Sequence, residues 1–194
     1  MSGMDRTLKP EYFDALYAAN SDPWNFAASP YERDKYKLTL QALPKPRYQS
    51  ALEVGCSIGI LTCALASRCD AVLGIDAAEA PLAAARRRCA DFPNIRFERM
   101  FVPDEWPDGA FGLIVLSEVI YYLSREDVSR LSARVTRSLF KGGSVVLVHW
   151  TGDTDYPLSG DDAVALFIEC IGSSCVVERA DRYREFRLDV LSSA

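Results

Sequence analysis

The chain has 194 residues, of which 49% are hydrophobic and 25% charged, enough for one domain with a sizeable core. Twenty-two basic residues against 27 acidic ones leave a net charge of −5, which offers no electrostatic footprint for nucleic acid or for an anionic membrane. No apolar run nears the ~20 residues of a membrane span, and residues 1–10 are charged without an apolar centre, so neither an anchor nor a signal peptide is expected.

Along the chain, the spacing of Tyr12, Phe13, Leu16 and Tyr17 predicts an amphipathic helix over 10–19. The loop from Asn20 to Phe26 follows. Ser29-Pro30-Tyr31-Glu32 is a helix start, with a capping serine, a proline at the first helical position and a glutamate that reaches back to the cap. That helix runs to about Leu43, where Pro44 and Pro46 stop it. From Ala51 the pattern alternates. Strands are expected at 51–54, 71–76, 94–99, 111–116 and 144–150, and helices at 59–68, 79–91 and 125–139, the last ended by Gly142-Gly143. Ser159 opens a further helix that Gly172 closes, and 174–179 and 183–190 read as two strands joined by a polar turn. The sum is an α/β, Rossmann-like architecture: a seven-stranded, mostly parallel sheet with helices on both faces and a C-terminal antiparallel hairpin. Residues 1–194 form one domain in this reading, with a helical cap over 1–46, a core over 47–150 and a helix plus hairpin over 151–194.

Six cysteines (Cys56, Cys63, Cys69, Cys89, Cys170 and Cys175) show no C-x-x-C spacing and lie in helix or strand patterns. They read as buried free thiols, which suits a cytoplasmic protein. A single histidine, His149, offers no zinc set, and no metal is expected. Arg86-Arg87-Arg88 reads as a solvated helix face.

The chemistry-bearing stretch is Glu53-Val-Gly55-Cys56-Ser57-Ile-Gly59, placed between a strand and a helix, with Gly74-Ile75-Asp76 ending the next strand. A glycine turn followed by a second-strand acid is the front half of a nucleotide-type cofactor site. The spacing lacks the middle glycine that lets a pyrophosphate approach, which disfavours a nicotinamide oxidoreductase. A phosphate-free cofactor such as S-adenosylmethionine fits better, with Glu53 suited to its ammonium and Asp76 to its ribose hydroxyls.

Taken together with Phe111-Gly112-Leu113-Ile114-Val115, Ser117-Glu118-Val119-Ile120-Tyr121-Tyr122-Leu123 and Phe140-Lys141-Gly142-Gly143, these segments resemble the class I S-adenosylmethionine-dependent methyltransferases. Asp22-Pro23-Trp24 and Ser29-Pro30-Tyr31-Glu32-Arg33 are similar to the nodulation protein S (NodS-like) family of N-methyltransferases. The resemblance implies methylation of an amine, on an amino sugar or another small-molecule or oligosaccharide substrate, with S-adenosylhomocysteine as the second product. It also implies an N-terminal segment folded over the cofactor. Cofactor contacts are expected from Glu53, Gly55, Cys56, Ser57, Gly59, Asp76, Ala77, Phe101, Val102, Ser117, Trp24 and Arg33. Phe101 stands where such enzymes commonly carry an adenine-binding acid, so stacking and the backbone at 101–102 take over that contact. Glu118, at the C-terminal end of the fourth strand, is the candidate for positioning the amine or taking its proton, with His149 as a second base and Tyr121 and Tyr122 lining the pocket. In the loop 151–160, Asp153 and Asp155 read first as a solvated loop and second as substrate contacts. Two alternatives stay open: methylation of oxygen or carbon, and a non-catalytic cofactor-binding module.

Overall fold

A computed structural model describes residues 6–194. Two helices come first, α1 (Pro10–Ala19) and α2 (Pro30–Ala42). The alternating core follows as β1 (Ala51–Val54), α3 (Ile60–Leu65), β2 (Val72–Asp76), α4 (Glu79–Arg88), β3 (Ile95–Arg99), β4 (Phe111–Ser117), α5 (Arg125–Ser138) and β5 (Leu139–Trp150). α6 (Gly160–Ile171), β6 (Cys175–Arg182) and β7 (Phe186–Ser193) complete it. The seven strands lie in the order β3-β2-β1-β4-β5-β7-β6. The first five are parallel, and β7 pairs antiparallel with both β5 and β6.

The period of two along β4 sends its side chains to two cores. Ile114 and Leu116 pack with Val145, Leu147, Leu131 and Phe167 on the side covered by α5 and α6. Leu113 and Val115 pack with Val146, Val148, Leu61 and Leu65 on the side of α3 and α2. A strand buried on both faces is the centre of the sheet, and the chain reverses its strand order around β1 and β4. That reversal opens a crevice beyond their C-terminal ends. No helix among the described residues is long and apolar enough to cross a membrane.

Several boundaries differ from the sequence reading, among them the end of α4, which stops at Arg88 and not at 91. β5 begins at Leu139, not after the glycine pair, because Gly142 (φ +68°) carries a bulge in which the pairing jumps from Phe111 opposite Leu139 to Leu113 opposite Ser144. The expected helix 59–68 is α3 followed by a 3₁₀ turn over Ala66–Arg68. The hairpin strands lie a little later than expected, at 175–182 and 186–193.

The cysteines need a larger correction. Cys63 and Cys89 form a disulfide with Cα atoms 5.7 Å apart, whereas Cys56, Cys69, Cys170 and Cys175 are free thiols. The pair is 26 residues apart in sequence and meets only because α3 and α4 lie side by side against the sheet. The free-thiol argument for a cytoplasmic setting therefore falls away, since disulfides persist mainly in oxidising compartments.

Candidate active site

The crevice is a cavity of about 420 Å³, bounded below by the C-terminal ends of β1, β2, β4 and β5 and above by α1, α2 and the loop between them. After β1 the chain turns sharply. Gly55 (φ +74°) would bring a Cβ to 2.4 Å from Val119 Cγ2, so only glycine lets the turn press against the segment after β4. The Gly55 and Cys56 N–H groups both donate to Ile75 O, at 2.8 and 3.0 Å. Ser57 (φ +48°) then donates its N–H to Asp76 Oδ2 at 2.9 Å, and Ala78 N–H donates to Oδ1 at 3.0 Å. Removal from water pushes the Asp76 carboxyl up to about 6, against the pull of those N–H groups. Glu53 lies deeper and lines the cavity. Burial pushes its carboxyl up to about 8 against a pull from the Thr62 hydroxyl, and its buried Oε2 has no hydrogen bond of ordinary length among the described residues.

The cover is tied down by specific bonds. Leu8 N–H donates to Tyr122 O, and Ser124 N–H donates to Thr7 Oγ1. The Tyr17 hydroxyl hydrogen-bonds Ser57 Oγ at 2.5 Å, which fastens α1 onto the glycine turn. Asp22 accepts from the N–H groups of Phe26 and Ala27, both at 2.8 Å, folding the loop that presents Trp24 to the cavity edge-on to Tyr17.

On the β4–β5 side stands Glu118, a non-glycine residue at φ +58°. An outlier of this kind persists only where its surroundings over-determine it. Here they do. Lys35 Nζ donates to Glu118 Oε1 at 2.7 Å, and the Tyr121 hydroxyl and the Trp150 N–H donate to Oε2 at 2.7 and 2.9 Å. Burial alone would raise this carboxyl, but the Lys35 ammonium and these bonds outweigh it and hold Glu118 below the ordinary carboxylate value. Lys35 is itself buried and makes a second ion pair to Glu32 Oε1 at 3.0 Å. The Tyr121 ring stacks on Tyr156 (centroids 5.2 Å, 23°), and both line the cavity.

Residues 15–142 match the profile of the nodulation protein S (NodS) family. The chain belongs to that family. It is 32% identical over 130 residues to nodulation protein S of Rhizobium tropici, an overlap of 66% of this chain and 55% of that protein. The chain spans about half the length of the curated NodS proteins it matches. A solved putative methyltransferase from Pseudomonas syringae is 36% identical, with a TM-score of 0.74 over 84% of this chain and 98% of that one. The NodS N-methyltransferase from Bradyrhizobium japonicum WM9, solved with S-adenosylhomocysteine, shares the fold at a TM-score of 0.83 and 20% identity, covering 96% of this chain and 99% of that one.

Within this NodS-family site, most of the sequence candidates converge. Glu53, Gly55, Cys56, Ser57, Asp76, Ala77, Phe101, Val102, Ser117, Trp24, Glu118, Tyr121 and Tyr122 all line the cavity. Three expectations fail on geometry, and the loop 151–160 holds to its solvated reading at two positions. His149 lies behind Tyr121 and off the cavity wall: its Nε2 accepts the Ile120 N–H at 3.1 Å, and burial lowers its pKa to about 4, so it is a neutral packing residue. Gly59 is also off the wall. It caps α3 at φ +78°, and a Cβ there would meet Ala85 Cβ at 2.8 Å, so its smallness serves helix packing. Arg33 is exposed and turns back to Ala28 O. Asp153 and Asp155 point into solvent, while their neighbour Tyr156 lines the cavity. At Phe101 the backbone N–H donates to Glu105 Oε2 at 2.7 Å, which leaves the ring as that residue's contribution to the wall.

Sequence reasoning missed Lys35, Glu32 and Tyr156. The signal for the first two was present: Glu32, Lys35, Thr39 and Ala42 recur at helical spacing and form the buried face of α2. Three of the four are polar, so a hydropathy pattern passes over them.

Proposed function

We propose that the protein is an S-adenosylmethionine-dependent methyltransferase that acts on the amine of a small molecule or oligosaccharide, an amino sugar foremost. The residues fit the cofactor. Glu53 Oε2 is a buried, unpartnered carboxylate oxygen suited to an ammonium, and Asp76 stands at the end of β2, the place that suits a ribose diol. When bound, the cofactor supplies a methyl group on a sulfonium, already activated for in-line displacement.

The protein's own tasks are then alignment, exclusion of water and removal of a proton. Alignment of reactants can supply about 7–11 kcal/mol of a barrier. The Gly55–Ser57 turn and Asp76 hold the donor side. α1, fastened through Tyr17 and Ser57, keeps Phe13 and Trp24 over the cavity and water out of it. Glu118 fixes the Tyr121 hydroxyl and the Lys35 ammonium at one end of the same space.

The observation that carries the amine reading is the charge on the wall. Two carboxylates, Glu32 and Glu118, share one ammonium, Lys35, among the aromatic rings of Tyr31, Tyr121 and Trp150. With both carboxyls ionised, this wall carries one more negative than positive charge and suits a cation. A carboxylate acceptor would meet repulsion there. Release of S-adenosylhomocysteine across a panel of amines, phenols and carboxylates tests the reading. Turnover confined to amines supports it, and turnover confined to phenols or carboxylates sinks it.

A further inference from the structure

We infer that Glu32, on the cavity-lining face of α2, is the group that binds the acceptor's ammonium and takes its proton; this rests on the amine reading above. Among the carboxylates of the β4–β5 end of the cavity, Glu32 alone has an oxygen to spare. Its Oε1 accepts from Lys35 at 3.0 Å, while Oε2 is buried with no partner among the described residues. The residue is 6% exposed and lines the cavity, so its free oxygen has little water to turn to. The adjacent Tyr31 hydroxyl is in the same condition, buried and without a partner. Two unpaired polar atoms on residues that line one cavity are costly in isolation, and a ligand that donates to Glu32 relieves the larger cost. An ammonium, with several N–H donors, is such a ligand.

The other candidates are occupied. Glu118 already receives three donors, and its carboxyl is held below the ordinary value, which makes it a weak base. His149 is off the wall. Glu32 differs in the direction that matters: burial, only partly offset by Lys35 and by the Tyr36 hydroxyl nearby, raises its carboxyl above the ordinary value. Lys35 then has a definite part. Its ammonium neutralises one of the two carboxylates and leaves the net charge of the pair for the substrate. It also lies 5.2 Å from the Tyr31 ring centroid, which fixes that ring.

The step balances within the site. The amine enters as an ammonium. One N–H bond breaks toward Glu32 Oε2, an O–H bond forms, and the nitrogen keeps the electron pair that makes it a nucleophile. After the product leaves, the proton on Glu32 passes to water.

The test uses the full chain and the variants Glu32→Gln and Glu32→Asp. Glucosamine binding is followed by calorimetry in the absence of cofactor, and turnover is measured with glucosamine and with an amine that is largely neutral at the assay pH. Glu32→Gln is expected to keep its affinity for S-adenosylhomocysteine, to lose glucosamine binding and to lower kcat/KM for glucosamine about 100-fold or more. The loss for the neutral amine is expected to be much smaller, because that substrate needs no proton removed. Wild-type kcat/KM in Glu32→Gln, or an equal loss for both amines, overturns the inference and leaves the amine reading standing. A wild-type enzyme that methylates phenols or carboxylates and no amine overturns both. If Glu32→Gln no longer holds S-adenosylhomocysteine, Glu32→Asp decides: the acidic limb of the kcat/KM pH profile must move from its wild-type position, and an unmoved limb overturns the inference.

Discussion

Replacing Lys35 with methionine keeps the aliphatic stem of the side chain and removes its charge. The side chain is 3% exposed and pairs at 2.7 Å with Glu118 and at 3.0 Å with Glu32, so the variant strands two buried carboxylates. At an effective dielectric near 20 the Glu118 pair alone is worth about 6 kcal/mol gross, before desolvation is counted. Breaking a buried ion pair from one side costs about 3–5 kcal/mol net, or roughly 6–20 °C in melting temperature for a chain of this size. The pH dependence separates this cause from simple misfit. In the wild type, Glu118 is held below its ordinary value of 4.5, so it contributes stability that is present above that value and lost as pH falls through the depressed one. Without Lys35, burial dominates and raises the carboxyl, and the charged form becomes the penalised one. The deficit of Lys35→Met is therefore full at neutral pH and shrinks as the pH falls toward 4.5 and below. Thermal unfolding of both proteins at the two pH values is the assay. An unchanged melting temperature at neutral pH, or a deficit of the same size at both, refutes the buried network as described.

Two further predictions concern the donor side. Burial holds Glu53 at about 8, so at neutral pH its carboxyl is largely protonated in the free protein, and an ammonium placed beside it drives ionisation. Binding of S-adenosylmethionine should thus release close to one proton. Calorimetry in buffers of different ionisation enthalpy measures it; a buffer-independent heat contradicts the assignment, and Glu53→Gln should abolish the release. Gly59→Ala combines a left-handed backbone, costing about 1–2 kcal/mol, with a Cβ at 2.8 Å from Ala85 Cβ. It should lower stability in urea by at least that amount while leaving the cavity residues in place, and wild-type stability would remove the packing role.

The frame of this protein could be read from its residues because its signals are local. The β1 turn, the continuous apolar run of β4 and the serines Ser29, Ser124 and Ser159 each announce an element within a few positions, and each of these serines caps its helix by accepting the N–H three residues on. The donor half of the cavity followed, since Gly55, Ser57 and Asp76 belong to one strand–turn–helix–strand unit. The acceptor half did not. The Lys35–Glu118 bond joins residues 83 positions apart, and the buried stripe of α2 is polar, which inverts the usual equation of burial with apolarity. The disulfide was hidden for the same reason: Cys63 and Cys89 become neighbours only after α3 and α4 have packed. His149 misled because a strand end beside the crevice need not face it, and here the ring is turned to the Ile120 N–H.

On the amine reading, this cavity passes a methyl group to nitrogen. Incubation with S-adenosylmethionine carrying a ¹³C-labelled methyl, with glucosamine as acceptor, tests it most directly, read by NMR of the product. The expected result is one labelled methyl on the amine nitrogen for each S-adenosylhomocysteine released. Label found only on oxygen, or cofactor bound tightly with no transfer to any amine, would contradict it.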